Sequence, residues 1–581
     1  MDTYIADFET ITDRNDCRVW AWAICEVGNE NNIRIGNNID SFMEWCAVKK
    51  RNYTVLFHNL KFDSQFIMSY LFKNGFTHTI KQADRATKTF NTLINDKGQY
   101  YQIEVIFERK GKTINKVTFQ DSKKLLDMSV DEIAKTFELP YQKLEIDYKE
   151  FRPVGHELTV EEMAYIRNDV RIVAKAVEFF YKHGLTQMTI GRCAFEEYKQ
   201  LMAKKKKNFE RFFPEPGYDE DVRQSYRGGF TYLNPKFAEK TIREGVALDY
   251  NSVYPSVMRD ELLPYGRPYY FEGQYRPDKL YPLYVQMFRC AFELKPGKIP
   301  TVQIRHGSDY RASEYLTHSD GEATLCMTSV DFEIFRDHYD IYNIEYIGGW
   351  AFKAAQGLFD EYVDKWYAVK VNAKKTNNRG MYEISKRMLN SLYGKFGTLP
   401  KVTSKVPGMR EDGTLIYKDK HVRFGTAVYI GMATFITSYA RQRIINAAQR
   451  VTDDYNAGRS DIEFIYADTD SLWLKSKGFK LPDYFEYDNM ALGKFKFEGE
   501  FNRAKFLRQK CYIADFRKPG EEEFKLKVTV AGMPKKCYDQ VTFSNFKIGA
   551  TYKGKLQPVN VPGGVVLESV DFTINKVSDN L

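Results

Sequence analysis

Ile462-Glu-Phe-Ile-Tyr466-Ala-Asp468-Thr469-Asp470-Ser471-Leu-Trp-Leu474 is the stretch on which the fold turns. Two apolar runs flank a tight acidic turn, a pattern that predicts a β-hairpin with Asp468 and Asp470 at its tip. A lone Asp in a turn is more often bonding its own backbone than holding a ligand. A second segment changes the balance: Gly245-Val-Ala-Leu-Asp249-Tyr250-Asn-Ser252-Val-Tyr254-Pro255 is a β-like run that ends in a carboxylate and enters a turn. Hard divalent cations take carboxylate oxygens, and two of them about 3.5 to 4 Å apart stabilise the attacking and leaving oxygens of a phosphoryl transfer. Asp249 and Asp470 are candidates to hold such a pair.

Between these segments, Glu383-Ile-Ser-Lys386-Arg-Met-Leu-Asn390-Ser-Leu-Tyr393-Gly394-Lys-Phe396 predicts a helix. Lys386, Asn390 and Tyr393 then share one face, and Leu389, Leu392 and Phe396 line another. That stripe suits a triphosphate at one end and a base and sugar at the other, with Gly394 letting a backbone approach. Residue types alone favour a solvated lysine and a half-buried tyrosine.

Further out, the N-terminal part alternates strands and helices: Tyr4 to Phe8, Arg18 to Val27, Thr54 to Phe57, then the amphipathic Asp63 to Phe72 with Gly75 as a stop. Thr159 with Glu162 forms a capping-box signature, and the apolar positions that follow predict a helix from about Val160 to His183. A domain boundary is expected near residue 190, before the run Lys204 to Lys207. Short β-rich runs with many prolines and glycines between Leu262 and Gly349, and a Gly/Asp/Lys-rich loop from Leu399 to Val422, look like insertions into a larger core.

At 581 residues the chain is long enough for two to four packed cores, and its 43% hydrophobic and 28% charged residues exclude disordered and fibrous classes. The net charge of +9 suits a polyanionic partner without requiring one. Aromatic residues at 15%, interleaved with Lys and Arg, offer stacking surfaces beside phosphate-binding cations, although most belong to cores. The eight cysteines are scattered without a CxxC pair, so reduced thiols and no structural zinc are expected. The acidic start MDTYIADFET is no secretory signal, and the most apolar stretch, Tyr429 to Ala440, is too short for a membrane span. An intracellular protein is expected.

The motifs D-x-N-S-x-Y-P at Asp249, K-x-x-x-N-S-x-Y-G at Lys386 and Y-x-D-T-D-S at Tyr466 resemble motifs A, B and C of family B DNA polymerases. Tyr226-Arg-Gly228-Gly229, Lys510-Cys-Tyr512 and the two insertions narrow the resemblance to the protein-primed, phi-twenty-nine-like phage enzymes, over essentially the whole chain. The resemblance implies an α/β and α+β multidomain fold: an RNase H-like DEDDy exonuclease domain followed by a right-hand polymerase of palm, fingers and thumb with two insertion regions. The implied divisions are exonuclease 1–190, palm 191–261 and 427–530, terminal protein region 1 at 262–359, fingers 360–398, terminal protein region 2 at 399–426, and thumb 531–581.

By the same resemblance, Asp249, Asp470 and the carbonyl of Tyr250 bind two Mg2+ ions, for which Mn2+ can substitute, and Asp468 supports them. Lys386 and the more loosely aligned Lys374 hold the triphosphate, with Asn390 on the same stripe. Tyr393 packs on the nascent pair, and Tyr254 excludes a 2′-hydroxyl. At the N-terminus, Asp7 and Glu9 are two apart on a strand and share a face, while Tyr165 and Asp169 are one helical turn apart. With Asp63 they resemble the three exonuclease motifs, Tyr165 orienting the attacking water. Lys143 matches a basic residue of that site. Glu145, a further implied metal ligand, stands where the family has aspartate. Asn59, Phe62 and Ser122 are implied to grip the single-stranded primer end, although Lys123 stands where the family has leucine. Tyr226, Gly228, Gly229 and Ser252 contact DNA, and Lys510 and Tyr512 hold the primer terminus.

Expected partners are template and primer DNA, deoxynucleoside triphosphates, a terminal protein as primer and a single-stranded DNA-binding protein. A monomer in the host cytoplasm is expected. A family B enzyme that is DNA-primed or primer-independent shares the same motifs, and a non-catalytic single-stranded DNA-binding protein is a remote alternative that leaves every carboxylate idle.

Overall fold

The computed structural model describes residues 2–576 except 12, 49–51, 149, 215–216, 304–314 and 426. Its N-terminal part is an eight-stranded sheet. Strand β1 (Thr3–Thr10) pairs in parallel with β2 (Tyr53–Phe57), which pairs in parallel with β3 (Thr113–Asp121). Buried on both faces, β1 and β2 read as nearly continuous apolar runs, as parallel strands do. Helix α1 (Leu60–Lys73) leaves the end of β2, and α2 (Val160–Lys182) packs across β1. The capping box at Thr159 and Glu162 is present, with both reciprocal bonds made. Phe8, Phe42 and Phe57 meet edge to face at the centre of this core.

A seven-stranded antiparallel sheet carries the second half. Its centre is β4 (Thr241–Tyr250), followed by α3 (Val253–Asp260). Helices α4 (Asp360–Lys375) and α5 (Arg379–Phe396) form an antiparallel pair, and α6 (Ile430–Asn456) lies across the sheet. The hairpin of β5 (Glu463–Asp468) and β6 (Ser471–Lys475) follows, then β7 (Phe495–Arg508). β4 sits between β6 and β7, so Asp249 lies opposite Ser471 on one side and Lys496 on the other. The stretch from Tyr429 to Ala440 is the buried start of α6. No helix among the described residues is long and apolar enough to cross a membrane.

The two insertions are more regular than their composition suggests. The first, of which 304–314 lie outside the described residues, forms a four-stranded sheet whose longest strand, Tyr339–Ala355, has 17 residues. Its glycines serve close packing: a Cβ on Gly349 would stand 1.9 Å from the carbonyl of Val285. The second is a two-stranded ribbon, Lys401–Met409 with Leu415–Phe424, where a loop was expected. Its Asp412-Gly413 turn explains the difference: Gly413 has φ +86° and Asp412 accepts from the N–H of Thr414.

This ribbon packs against the N-terminal domain and the C-terminal hairpin Thr551–Val561/Gly564–Thr573, which also touch each other. Tyr417 donates to Gln65 at 2.6 Å, Asn560 donates to the carbonyl of Leu415 at 3.1 Å, and the Cys17 thiol reaches the carbonyl of Val565 at 3.6 Å. Between them lies an open cleft of about 540 Å3 lined by Asn59, Phe62, Lys97, Lys405 and Leu567, among others.

Candidate active sites

In the C-terminal half the strand ends deliver the carboxylates. Thr469 and Asp470 make the two-residue turn, with Thr469 at φ +60°, and Asp468 and Ser471 face each other across it. The N–H of Tyr250 donates to the carbonyl of Asp470 at 2.6 Å, which ties the turn to the end of β4. Burial, then the charges of Asp249 and Asp468, push the Asp470 carboxyl up to about 7. Asp249 is raised as well, by burial first and then by Glu498. Both carboxylates are therefore held together against their own repulsion, an arrangement that a divalent cation relieves.

Asp468 faces the other way. Its Oδ1 accepts from Lys510 Nζ at 2.7 Å and from the Thr231 hydroxyl at 3.2 Å, and its Oδ2 accepts from the Tyr466 hydroxyl at 3.1 Å. The strained backbone of Lys510, at φ +52°, is fixed by its N–H donating to Tyr466 Oη. Tyr512 is buried in the ring cluster of Phe506, Trp473 and Tyr466 behind them. Gly229 packs on this turn, where a Cβ would meet the Thr469 side chain at 2.7 Å. Gly228 is exposed, and Tyr226 is half-buried against Gly397.

Along α5, Lys386 and Asn390 are exposed, and Leu389, Leu392 and Phe396 are buried. Tyr393 stacks on Tyr254 with ring centroids 4.3 Å apart and planes at 26°. No side chain crowds Gly394. Of the lysines on α4, Lys374 is exposed and its amine reaches the carbonyl of Asn489 at 3.3 Å. Lys370, one turn earlier, donates to Ser252 Oγ at 2.9 Å beside the carboxylates. Burial, then Lys386, bring its amine down to about 8. Lys370 was missed in the sequence because only its helical spacing from Lys374 distinguishes the two, and the packing of α4 beside α3 brings Lys370 to Ser252.

A second site lies in the N-terminal domain. Ligand oxygens of Asp7, Glu9 and Asp169 all come within 4.8 Å of one another, in a pocket of about 160 Å3 that Lys143, Tyr165 and His58 also line. Burial, then Asp169, push Asp7 up to about 7, and burial raises Glu9, Asp63 and Asp169. Oδ1 of Asp63 and Oδ1 of Asp169 are buried with no hydrogen-bond partner in the chain. The unpaired Asp169 oxygen, in the small cavity it shares with Asp7 and Glu9, fits a divalent cation, while Asp63 is not among the three clustered ligands. Lys143 donates to Asp169 at 2.5 Å and to the Tyr165 hydroxyl at 3.2 Å, and Tyr148 meets that hydroxyl at 2.6 Å. Glu145 is exposed and outside the cluster. Tyr148 lies in a loop without periodicity and carried no sequence signal. Asn59 is exposed and Phe62 half-buried, both lining the 540 Å3 cleft, and Ser122 is buried.

Two carboxylate centres, one beside a lysine-bearing helix and one inside an α/β domain, suit phosphoryl-transfer chemistry at divalent cations. The chain belongs to the type B DNA polymerases, organellar and viral, whose family model matches residues 45–478. It is 43% identical to the DNA polymerase of Bacillus phage phi29 over 98% of both chains, and 30% identical to that of Streptococcus phage Cp-1 over 99% of this chain and 98% of that one. The phi29 polymerase solved with primer-template DNA and incoming nucleotide superposes with a TM-score of 0.91 at 42% identity, covering 99% of this chain and 100% of the other.

Two outcomes follow from this geometry. Between about pH 4 and 7 the folded chain holds a proton on Asp470 that the unfolded chain releases, so without divalent cations stability falls as pH rises through that window. Asp470→Asn should therefore be more stable than the wild type at pH 8 in chelator, by about 1 kcal/mol or more; urea unfolding that shows no gain contradicts the buried repulsion. Lys370→Ala should raise the KM for nucleotide about tenfold or more while Lys374→Ala changes it little. Steady-state incorporation kinetics with the reverse order would reassign the lysines.

Proposed function

We propose that this chain copies a linear DNA genome from a protein primer, processively and with displacement of the downstream strand, and corrects its own product. The observation that carries the proposal is the pairing of Asp249 and Asp470 at a strand end and hairpin tip, facing Lys370, Lys386 and the Tyr254–Tyr393 stack. Relatedness along the full chain to phage polymerases supports the protein primer.

Asp249, Asp470 and the carbonyl of Tyr250 hold two Mg2+ ions, with Mn2+ as a substitute. When bound, these ions neutralise charge on the reacting phosphate and the leaving group. Lys370 and Lys386 receive the triphosphate from the two fingers helices, and Asn390 continues that stripe. Tyr254, backed by Tyr393, lies under the sugar and leaves no space for a 2′-hydroxyl. The primer hydroxyl attacks the α-phosphate and pyrophosphate departs. Lys510 and Tyr512 steady the primer end, and Tyr226, Gly228, Gly229 and Ser252 follow the template.

A mispaired end moves to the second site, where Asn59, Phe62 and Ser122 receive the single strand. Asp7, Glu9, Asp63 and Asp169 hold the metal ions there. The Tyr165 hydroxyl orients the attacking water, and Lys143, paired with Asp169, lies beside the scissile phosphate. The exonuclease domain spans 1–190. The palm spans 191–261 and 427–530, the fingers 360–398 and the thumb 531–581. The insertion at 262–359 docks the priming protein, and the ribbon at 399–426 encircles DNA, which favours processivity and strand opening without a clamp or helicase. A single-stranded DNA-binding protein covers the displaced strand in the host cytoplasm.

Extension of a primed circular template with Mg2+ tests this reading. The wild type should give products longer than one circumference and Asp470→Ala none. Synthesis that halts after one circle would remove strand displacement, and undiminished synthesis by the variant would remove the assignment of the site.

A further inference from the structure

One buried carboxylate of the N-terminal domain has no part in the chemistry above. β2 and β3 run parallel, and their last cross-strand partners are Phe57 and Asp121. Asp121 is 5% exposed. Its Oδ1 accepts two backbone hydrogen bonds at once, from the N–H of Asn59 at 3.0 Å and from the N–H of Lys123 at 3.0 Å. The first reaches across to the loop that leaves β2; the second caps the single turn Ser122–Lys124 that leaves β3. One oxygen thus pins two strand exits to each other.

The first of those exits is strained. Asn59 has φ +80° and ψ +53°, the left-handed region, which costs an ordinary residue about 1 kcal/mol or more and which asparagine tolerates best after glycine. Its side chain makes no capping bond to α1 and is exposed. The Asn59 side chain therefore does not reward the strained turn, and the bond from its N–H to Asp121 ties that turn to the end of β3. Phe62 is tied to the same turn through its N–H, which donates to the carbonyl of Asn59 at 3.0 Å. Ser122, next to Asp121, meets His58 Nδ1 at 3.0 Å, and His58 Nε2 meets the carbonyl of Met128 at 2.7 Å. Burial lowers the His58 pKa, so the ring stays neutral and serves as a fixed strut. Asp7, Glu9 and Asp169, by contrast, are held by β1 and α2.

We propose that Asp121 is a positioning residue for the single-stranded 3′ end: it presents Asn59, Phe62 and Ser122 as one preformed edge beside the carboxylate cluster. This rests on the nuclease reading of that cluster. Preorganisation of this kind lowers the cost of ordering the strand on binding and leaves the chemical step alone. Losing it should therefore appear in KM and not in kcat.

The test compares two substrates of one enzyme: an oligothymidylate, which needs the edge, and the p-nitrophenyl ester of thymidine 5′-monophosphate, which needs only the cluster. Asp121→Ala should raise the KM for the oligothymidylate about tenfold, with kcat and ester hydrolysis within about twofold of the wild type. Asp121→Asn keeps an acceptor oxygen in place and should restore most of the affinity. Asp121→Glu keeps the charge but displaces the acceptor and should not, which covers the case in which the alanine variant fails to fold. An unchanged KM in Asp121→Ala or Asp121→Glu, or equal losses on both substrates, would overturn the proposal. A wild type that hydrolyses neither substrate would instead overturn the nuclease reading.

Discussion

Carboxylates repel one another, and at two places this chain buries them side by side. Asp249 with Asp470, and Asp7 with Glu9, Asp63 and Asp169, are each pushed toward the protonated form by burial first, and Asp470, Asp7, Glu9 and Asp63 by a neighbouring carboxylate next. Local bonding compensates only in part: Lys143 pairs with Asp169, yet Asp63 and Asp169 each keep an oxygen without a partner. Only a rigid scaffold holds such groups in place before a cation arrives, and the rest of the structure supplies it.

Both halves use the same device. A strand fixed on both sides by hydrogen-bonded neighbours ends at a carboxylate, and a second element is tied to that end. β4 lies between β6 and β7, and the N–H of Tyr250 grips the carbonyl of Asp470. β1 lies between β2 and the antiparallel strand Val19–Glu26, and the capped helix α2 lowers Asp169 onto it. Cations then divide the work. Lys510 and Lys143 pair with one carboxylate each, while Lys370 is left short of a full counter-charge and brought down to about 8. An anionic ligand beside that amine raises it back toward the ordinary lysine value.

Short-range chemistry was legible in the sequence and long-range geometry was not. The acidic hairpin, the strand ending at Asp249, the motif B stripe and the Thr159–Glu162 cap follow from alternation, helical spacing and capping, all of which act within a few residues. Lys370 and Tyr148 escaped because their roles come from the packing of α4 on the palm and from a loop folding back on α2. The ribbon escaped because its polar, glycine-containing composition resembles a loop, although the Asp412-Gly413 turn was there to suggest a hairpin. The three-way contact that it joins depends on Tyr417, Gln65, Asn560 and Cys17, distant in sequence and ordinary in type.

Anomalous diffraction from Mn2+-soaked crystals grown with primer-template DNA and an incoming nucleotide tests the account most directly. The prediction is manganese density between Asp249 and Asp470 at the carbonyl of Tyr250, and in the pocket of Asp7, Glu9 and Asp169. Density at neither place, with DNA and nucleotide bound, would contradict the claim that the buried repulsion exists to hold metal.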